Sequence, residues 1–347
     1  MIRVLVVEDS LTVRAHLIDT LRSDPEFEVV GEAADGRRAV ELTAALRPDV
    51  ITLDLVLPEM NGLAATEQIM ANFATPILIV SASFNRGELF DTYQALAAGA
   101  VDVLDKPRGD DPTWERRFLA AVRMVSRIRV ITHPRGRLGA LGRHPTTQVP
   151  FVPVPVVASG RQPELIALGA STGGPPALAE VISALSINIP IVAVLHIGDP
   201  FAVAFADWLG TRIGRAVRIP ADGDPVDGSP VWFAPPGKHL VVEGKRFRLV
   251  SGPPRHSCLP SVDVLFESIA TSFGNRAIAA LLTGMGRDGA AGLLAIRQAG
   301  GVTIAQDQAT SVIYGMPREA ALLGAASHIL PLHEIGPAIV KLATESK

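Results

Sequence analysis

Leu165-Ile166-Ala167-Leu168-Gly169-Ala170-Ser171-Thr172-Gly173-Gly174-Pro175-Pro176 is the stretch on which the fold of the second half of the chain turns. An apolar run ends on a serine flanked by glycines, and a helix-compatible segment follows. That is strand, tight turn, helix. It puts Ser171 at the carboxyl end of a strand, where open α/β sheets place their chemistry. Two more polar residues arrive in the same way. His196 ends the run Ile191-Val192-Ala193-Val194-Leu195, and Asp288 follows Ala277-Ile278-Ala279-Ala280-Leu281-Leu282 through Thr283-Gly284-Met285-Gly286-Arg287. A hydroxyl, an imidazole and a carboxylate, each just past its own buried strand, have the composition of a nucleophile, its base and the group that orients the base.

Each residue taken singly has a blander explanation. Gly169-x-Ser171-x-Gly173 is a weak elbow pattern. Ser171 could cap the following helix, or the glycines could admit a phosphate to its amino terminus. Asp288 could be the N-cap of a helix over 289–299. His239 and His256 compete with His196 for the part of base, although neither follows a buried parallel strand. A dinucleotide fold wants an acid at the end of the next strand, and the chain has His196 there. The order Ser, His, Asp also differs from the Ser, Asp, His order of α/β-hydrolases.

The first 108 residues alternate short apolar runs (3–7, 28–33, 50–53, 76–81, 102–104) with amphipathic stretches (11–23, 36–47, 62–72, 84–98). Five βα units of this length predict a flavodoxin-like parallel sheet covered on both faces. A helix is expected within 112–130. Glu8 and Asp9 follow the first strand, Asp54 the third, Ser81 ends the fourth and Lys106 the fifth. All therefore lie on one carboxyl edge. Clustered carboxylates repel one another and favour a hard, oxygen-ligated cation such as Mg²⁺. Metal and lysine together would neutralise charge on a phosphoryl group passing to a carboxylate.

Between the halves, Thr132-His133-Pro134-Arg135-Gly136-Arg137 and Val149-Pro150-Phe151-Val152-Pro153-Val154-Pro155 predict a semi-extended linker, because repeated proline denies the segment both helix and ladder. The expected division is 1–125, linker 126–161, and 162–347. In the second half, 230–234, 239–243 and 246–251 are expected to be short antiparallel strands, with a turn at Glu243-Gly244-Lys245. A net charge of −3 gives no electrostatic reason to expect nucleic acid or an anionic membrane as the main partner. The single cysteine, Cys258, rules out an intrachain disulfide. With no signal-peptide layout and no membrane-length apolar run, the expected location is cytoplasmic.

Residues 1–108 resemble a response-regulator receiver domain. The resemblance rests on Glu8/Asp9, Asp54, Ser81 and Lys106-Pro107. It implies phosphorylation of Asp54 by a histidine kinase, and Mg²⁺ held by Asp9, Asp54 and the Val56 carbonyl, with Glu8 acting through water. It also implies that Ser81 and Lys106 contact the phosphoryl oxygens. Val103 stands where receivers often carry an aromatic switch residue. Residues 163–342 resemble the catalytic domain of chemotaxis protein-glutamate methylesterases. The carrying motifs are Gly169-Ala170-Ser171-Thr172-Gly173-Gly174-Pro175, Ala234-Pro235-Pro236-Gly237-Lys238-His239, Pro260-Ser261-Val262-Asp263, Leu282-Thr283-Gly284-Met285-Gly286-Arg287-Asp288-Gly289 and Ala305-Gln306-Asp307-Gln308. Two family features differ: Leu195 and Ile197-Gly198-Asp199-Pro200-Phe201-Ala202 flank His196, and Leu259 replaces an arginine.

The resemblance implies a serine hydrolase with Ser171 as nucleophile, His196 as base and Asp288 orienting it. The backbone N–H groups of Met285 and Thr172 would form the oxyanion hole. It further implies a methyl-accepting chemoreceptor as substrate, deamidation of receptor glutamines as a second reaction, no cofactor in this domain, and occlusion of the triad by the unphosphorylated receiver. The other expectation is a phosphorylation-dependent adaptor whose hydrolase-like domain turns over slowly.

Overall fold

The computed structural model describes residues 1–82, 86–107, 111, 113–128, 130, 162–198, 201–228 and 230–344. The chain divides into two compact units, Met1–Thr146 and Thr147–Lys347. The proline-rich segment 132–155 lies outside the described residues, as do Asp199 and Pro200.

The first unit runs β1 (Ile2–Val7), α1 (Leu11–Arg22), β2 (Phe27–Ala33), α2 (Gly36–Leu46), β3 (Val50–Leu53), α3 (Gly62–Asn72), β4 (Ile77–Ser81), α4 (Arg86–Ala98), β5 (Asp102–Asp105) and α5 (Trp114–Ser126). The strands form one parallel sheet in the order β2-β1-β3-β4-β5. This is the flavodoxin-like order expected from the sequence. Val4 to Val7 and Ile77 to Val80 are almost wholly buried, as required of strands covered on both faces. Helix starts are set by side-chain caps. Ser10, Asp35 and Asn61 accept from Val13 N, Arg38 N and Ala64 N, so each βα turn on the carboxyl edge is pinned close to its strand. Helix α5 closes the core with Trp114, Phe118, Val122 and Val125.

The second unit runs β6 (Leu165–Ala170), α6 (Gly174–Ser183), β7 (Ile191–Leu195), α7 (Ala202–Ile213), β8 (Val217–Arg218), β9 (Val231–Phe233), β10 (His239–Glu243), β11 (Arg246–Val250), α8 (Val262–Phe273), β12 (Ala277–Leu281), α9 (Ala290–Gln298), β13 (Val302–Gln306), α10 (Met316–Leu322), β14 (His328–Leu330) and α11 (Leu332–Thr344). Seven strands pair in the order β14-β13-β12-β6-β7-β9-β8, every pair parallel. Strands β10 and β11 form a separate antiparallel hairpin.

One expectation needs correction. The segment 230–234 is not antiparallel. Its strand β9 pairs parallel with β7, Ile191 opposite Val231 and Ala193 opposite Phe233. All three of its residues are buried, so it belongs inside the main sheet rather than in the hairpin. Its neighbour β8, two residues long, had no detectable pattern of its own.

The direction in which successive strands are added to the sheet reverses between β6 and β12. From β6 the next strand lies on one side, while β12 leads to β13 and β14 on the other. The crevice beyond the carboxyl ends of strands at such a switch point is where open α/β sheets bind ligands. Ser171 follows β6, His196 follows the adjacent β7, and the loop holding Asp288 follows β12. No helix among the described residues is long and apolar enough to cross a membrane.

Candidate active site and phosphoryl site

The turn after β6 is fixed by backbone. Ser171 N donates to Thr283 O at 3.0 Å, and Gly174 N donates to Ser171 O at 2.7 Å. Gly173 sits at φ +76, and a Cβ there would meet Val312 Cβ at 2.6 Å. The position therefore demands glycine for both its conformation and its space. The β6–β7 ladder sets Ala170 opposite Leu195, and His196 N donates to Ala170 O at 3.1 Å. Ser171 and His196 thus emerge side by side from adjacent strands.

His196 Nε2 lies 2.8 Å from Asp288 Oδ2. With Asp288 ionised, that nitrogen carries the proton, leaving Nδ1 as the lone-pair nitrogen. Cys258 Sγ is 3.6 Å from Nδ1. Among the described residues no hydrogen bond joins Ser171 Oγ to His196, whose ring contacts are with Asp288 and Cys258. Catalytic hydrogen bonds are often long before substrate binds.

Asp288 is 1% exposed and fully engaged. Its Oδ1 accepts from Ser261 Oγ at 2.7 Å and Asp263 N at 3.1 Å, and its Oδ2 from Val262 N at 2.7 Å as well as from His196. Asp288 does not cap the helix that follows it; Gly289, at φ +88, occupies that position. It sits instead at the amino terminus of α8, where two free N–H groups and the helix dipole favour an anion. Burial alone would raise its pKa, but hydrogen bonds from His196, Ser261 and Val262 outweigh burial and hold the carboxyl below the usual range. Asp288 is therefore a fixed negative charge beside the imidazole.

The rival histidines are committed elsewhere. His239, 5% exposed, accepts from Ser261 N at 3.2 Å and donates through Nε2 to Pro253 O at 3.1 Å, which leaves no nitrogen for a proton transfer. His256 faces the buried Asp263 at 3.3 Å and receives a bond from Arg287 Nε at 3.2 Å. Met285, with its side chain exposed, follows Gly284 at the head of the crevice; a Cβ on Gly284 would lie 2.7 Å from Ser171 Cβ. Among the described residues nothing accepts a bond from Met285 N. Thr172 is held through its carbonyl by Thr283 Oγ1 at 2.9 Å.

In the first unit, the predicted residues meet at the sheet edge. Lys106 Nζ lies 2.8 Å from Glu8 Oε2 and 2.8 Å from Asp54 Oδ2, and Lys106 N donates to Ser81 O at 3.0 Å. Carboxylate oxygens of Glu8, Asp9 and Asp54 all lie within 4.8 Å of one another. Glu8 is fully buried and its pKa is pushed up to about 7, by burial first and by Asp54, against the pull of Lys106. Burial also raises Asp54, against the hydrogen bond from Lys106. Lys106, though burial opposes its charge, is raised by its bonds to Asp54 and Glu8. A hard divalent cation fits this donor set. All the side chains offer oxygen, and one lysine does not balance three carboxylates. Val56 is exposed beside them.

A family model described as CheB methylesterase matches residues 166–339, and a response regulator receiver domain model matches residues 4–114. The chain is 40% identical over 354 residues to a protein-glutamate methylesterase/protein-glutamine glutaminase of Geobacter metallireducens, covering 99% of this chain and 100% of that one. The chain belongs to the CheB methylesterase family. An Anaeromyxobacter dehalogenans protein of the same name is 41% identical, covering 98% of this chain and 97% of its own. The crystal structure of the Thermotoga maritima CheB methylesterase catalytic domain superposes with a TM-score of 0.51 at 31% identity, covering 52% of this chain and all of that one.

Three contributors to the CheB-type site carried no assigned role in the sequence. Ser261 lay in a family motif, but only the fold shows its hydroxyl on Asp288. Thr283 is buried and ties the serine turn to the 311–315 loop through Ile313 N at 3.0 Å. Cys258 reaches His196 from a loop with no periodic signal. A groove of about 450 Å³ lined by His256, Ser257, Gly286, Arg287 and Glu319 adjoins the Asp288 loop.

Proposed function

We propose that the chain hydrolyses the γ-methyl esters of glutamates on chemoreceptors, and deamidates receptor glutamines, under control of phosphorylation at Asp54. The supporting observation is the imidazole of His196 held by a buried, fully hydrogen-bonded Asp288 beside Ser171, at the switch point of the sheet. In this reading Ser171 Oγ attacks the ester carbonyl while His196 Nδ1 takes its proton. Charge on the tetrahedral oxygen falls on the N–H groups of Met285 and Thr172. The imidazolium, steadied by Asp288, returns the proton to the departing methoxide, and methanol leaves. Water then enters along the same path and releases the glutamate carboxylate, restoring Ser171. For a glutamine the leaving group is ammonia.

In the receiver, Asp9, Asp54 and the Val56 carbonyl would hold Mg²⁺, with Glu8 acting through water. The ion supplies charge neutralisation during phosphoryl transfer. Lys106 and Ser81 hold the phosphoryl oxygens once Asp54 has accepted the group from a histidine kinase. The slow-turnover adaptor is the less favoured reading, because a relative 40% identical over 99% of this chain is named as a methylesterase/glutaminase and Asp288 already holds the His196 imidazole.

A serine-directed phosphonate separates the two. Ready modification at Ser171, located by peptide mass and lost in His196→Gln, is expected of an enzyme. Modification no faster at Ser171 than at other serines would support the adaptor.

A further inference from the structure

We propose that Cys258 Sγ and His196 Nδ1 form a seat for a thiophilic divalent cation, zinc above all, and that filling it silences hydrolysis. The two atoms are 3.6 Å apart. Zinc–sulfur and zinc–imidazole bonds of about 2.3 and about 2.0 Å, at a tetrahedral angle, place sulfur and nitrogen about 3.5 Å apart. The pair therefore already has the spacing of two ligands on one ion. The other ring nitrogen is bonded to Asp288 at 2.8 Å, the carboxylate–histidine partnership that orients imidazole ligands on zinc. Asp288 itself stays behind the histidine, because Ser261, Val262 and Asp263 occupy its remaining capacity.

Burial first, and then the carboxylates Asp288 and Asp263, push the Cys258 thiol up to about 12, so the metal must displace a firmly held proton; the same two buried carboxylates favour a cation at the sulfur. Thiolate and imidazole together select zinc over Mg²⁺. The receiver's acid cluster, all oxygen, has the opposite preference. Binding forms one metal–sulfur and one metal–nitrogen bond. It releases the thiol proton to water, and nothing is oxidised or reduced. The ion then holds the Nδ1 lone pair that Ser171 needs. This last step rests on His196 being the base; the seat itself does not.

The test titrates the full-length protein with Co²⁺ and reads the thiolate-to-cobalt charge-transfer band. Cys258 is the sole cysteine, so the acid cluster cannot produce the band. The expected result is a band that zinc displaces and that Cys258→Ala lacks. In parallel, the zinc concentration that halves ester hydrolysis, taken relative to each variant's own zinc-free rate, rises at least tenfold in Cys258→Ala, a factor of ten being about 1.4 kcal/mol. Zinc protection of the wild-type thiol against maleimide alkylation supplies a readout that needs no variant. No band and no protection at saturating metal would overturn the seat. A band without inhibition would overturn the silencing and, with it, His196 Nδ1 as the base.

Discussion

Ser171→Ala is expected to lower the rate of methyl-ester hydrolysis by a factor on the order of 10⁶, the loss seen when the nucleophile is removed from a serine triad. The fold should not suffer. Ser171 is positioned by its backbone bonds to Thr283 and Gly174, and alanine keeps both. The hydroxyl carries no hydrogen bond within the described residues, so its loss leaves no buried partner unpaired. Thermal unfolding should therefore match the wild type while single-turnover methanol release disappears. A folded variant retaining a tenth of the activity would remove Ser171 from the mechanism.

Asp288→Asn is expected to cost about 10⁴ in kcat, the scale reported when a triad carboxylate becomes an amide. Four donors converge on the carboxylate: Ser261 Oγ, Val262 N, Asp263 N and His196 Nε2. An amide has one oxygen for them, and its NH₂ must turn toward the others. The best orientation puts NH₂ beside Ser261, whose hydroxyl can reverse and accept. Asp263 N then loses its acceptor, at a cost of about 1–3 kcal/mol in stability. The oxygen still meets His196, but the charge that stabilises the imidazolium is gone. Activity within tenfold of wild type, measured alongside a melting curve, would show that Asp288 is only a helix-terminus anion.

These two residues illustrate what the sequence carried and what it did not. Ser171, His196 and Asp288 were legible because each follows an apolar run long enough to be a buried strand, and parallel strands deliver their next residues to one edge. The same logic brought Glu8, Asp54 and Lys106 together, since Lys106 lies 2.8 Å from both carboxylates. The anchoring of Asp288 was not legible. Its partners are 25–27 residues away in sequence, on a helix whose amino terminus reaches the site only through tertiary packing. Cys258 was invisible for a related reason, lying in a proline- and arginine-rich loop with no periodicity. Strand β9 was misread because three residues cannot display a period; its partner β7 lies forty residues earlier, and its side chains are covered by Phe205 of α7 against Phe233 and Phe247 of β11 against Trp232.

Charge explains why the two halves use carboxylates so differently. Asp288 is buried yet held ionised by its donors, whereas Glu8 is buried and raised to about 7. The first suits a permanent counter-charge. The second suits a site whose charge is completed by a cation and a phosphoryl group.

The most direct measurement is methanol release from methylated chemoreceptors of the same cell. The full-length protein is assayed with and without a small-molecule phosphodonor and Mg²⁺, beside Asp54→Asn. The predicted result is methanol from the wild type, faster with phosphodonor, and a slow rate in Asp54→Asn that phosphodonor does not change. Receptors that keep all their methyl groups under both conditions would contradict the account.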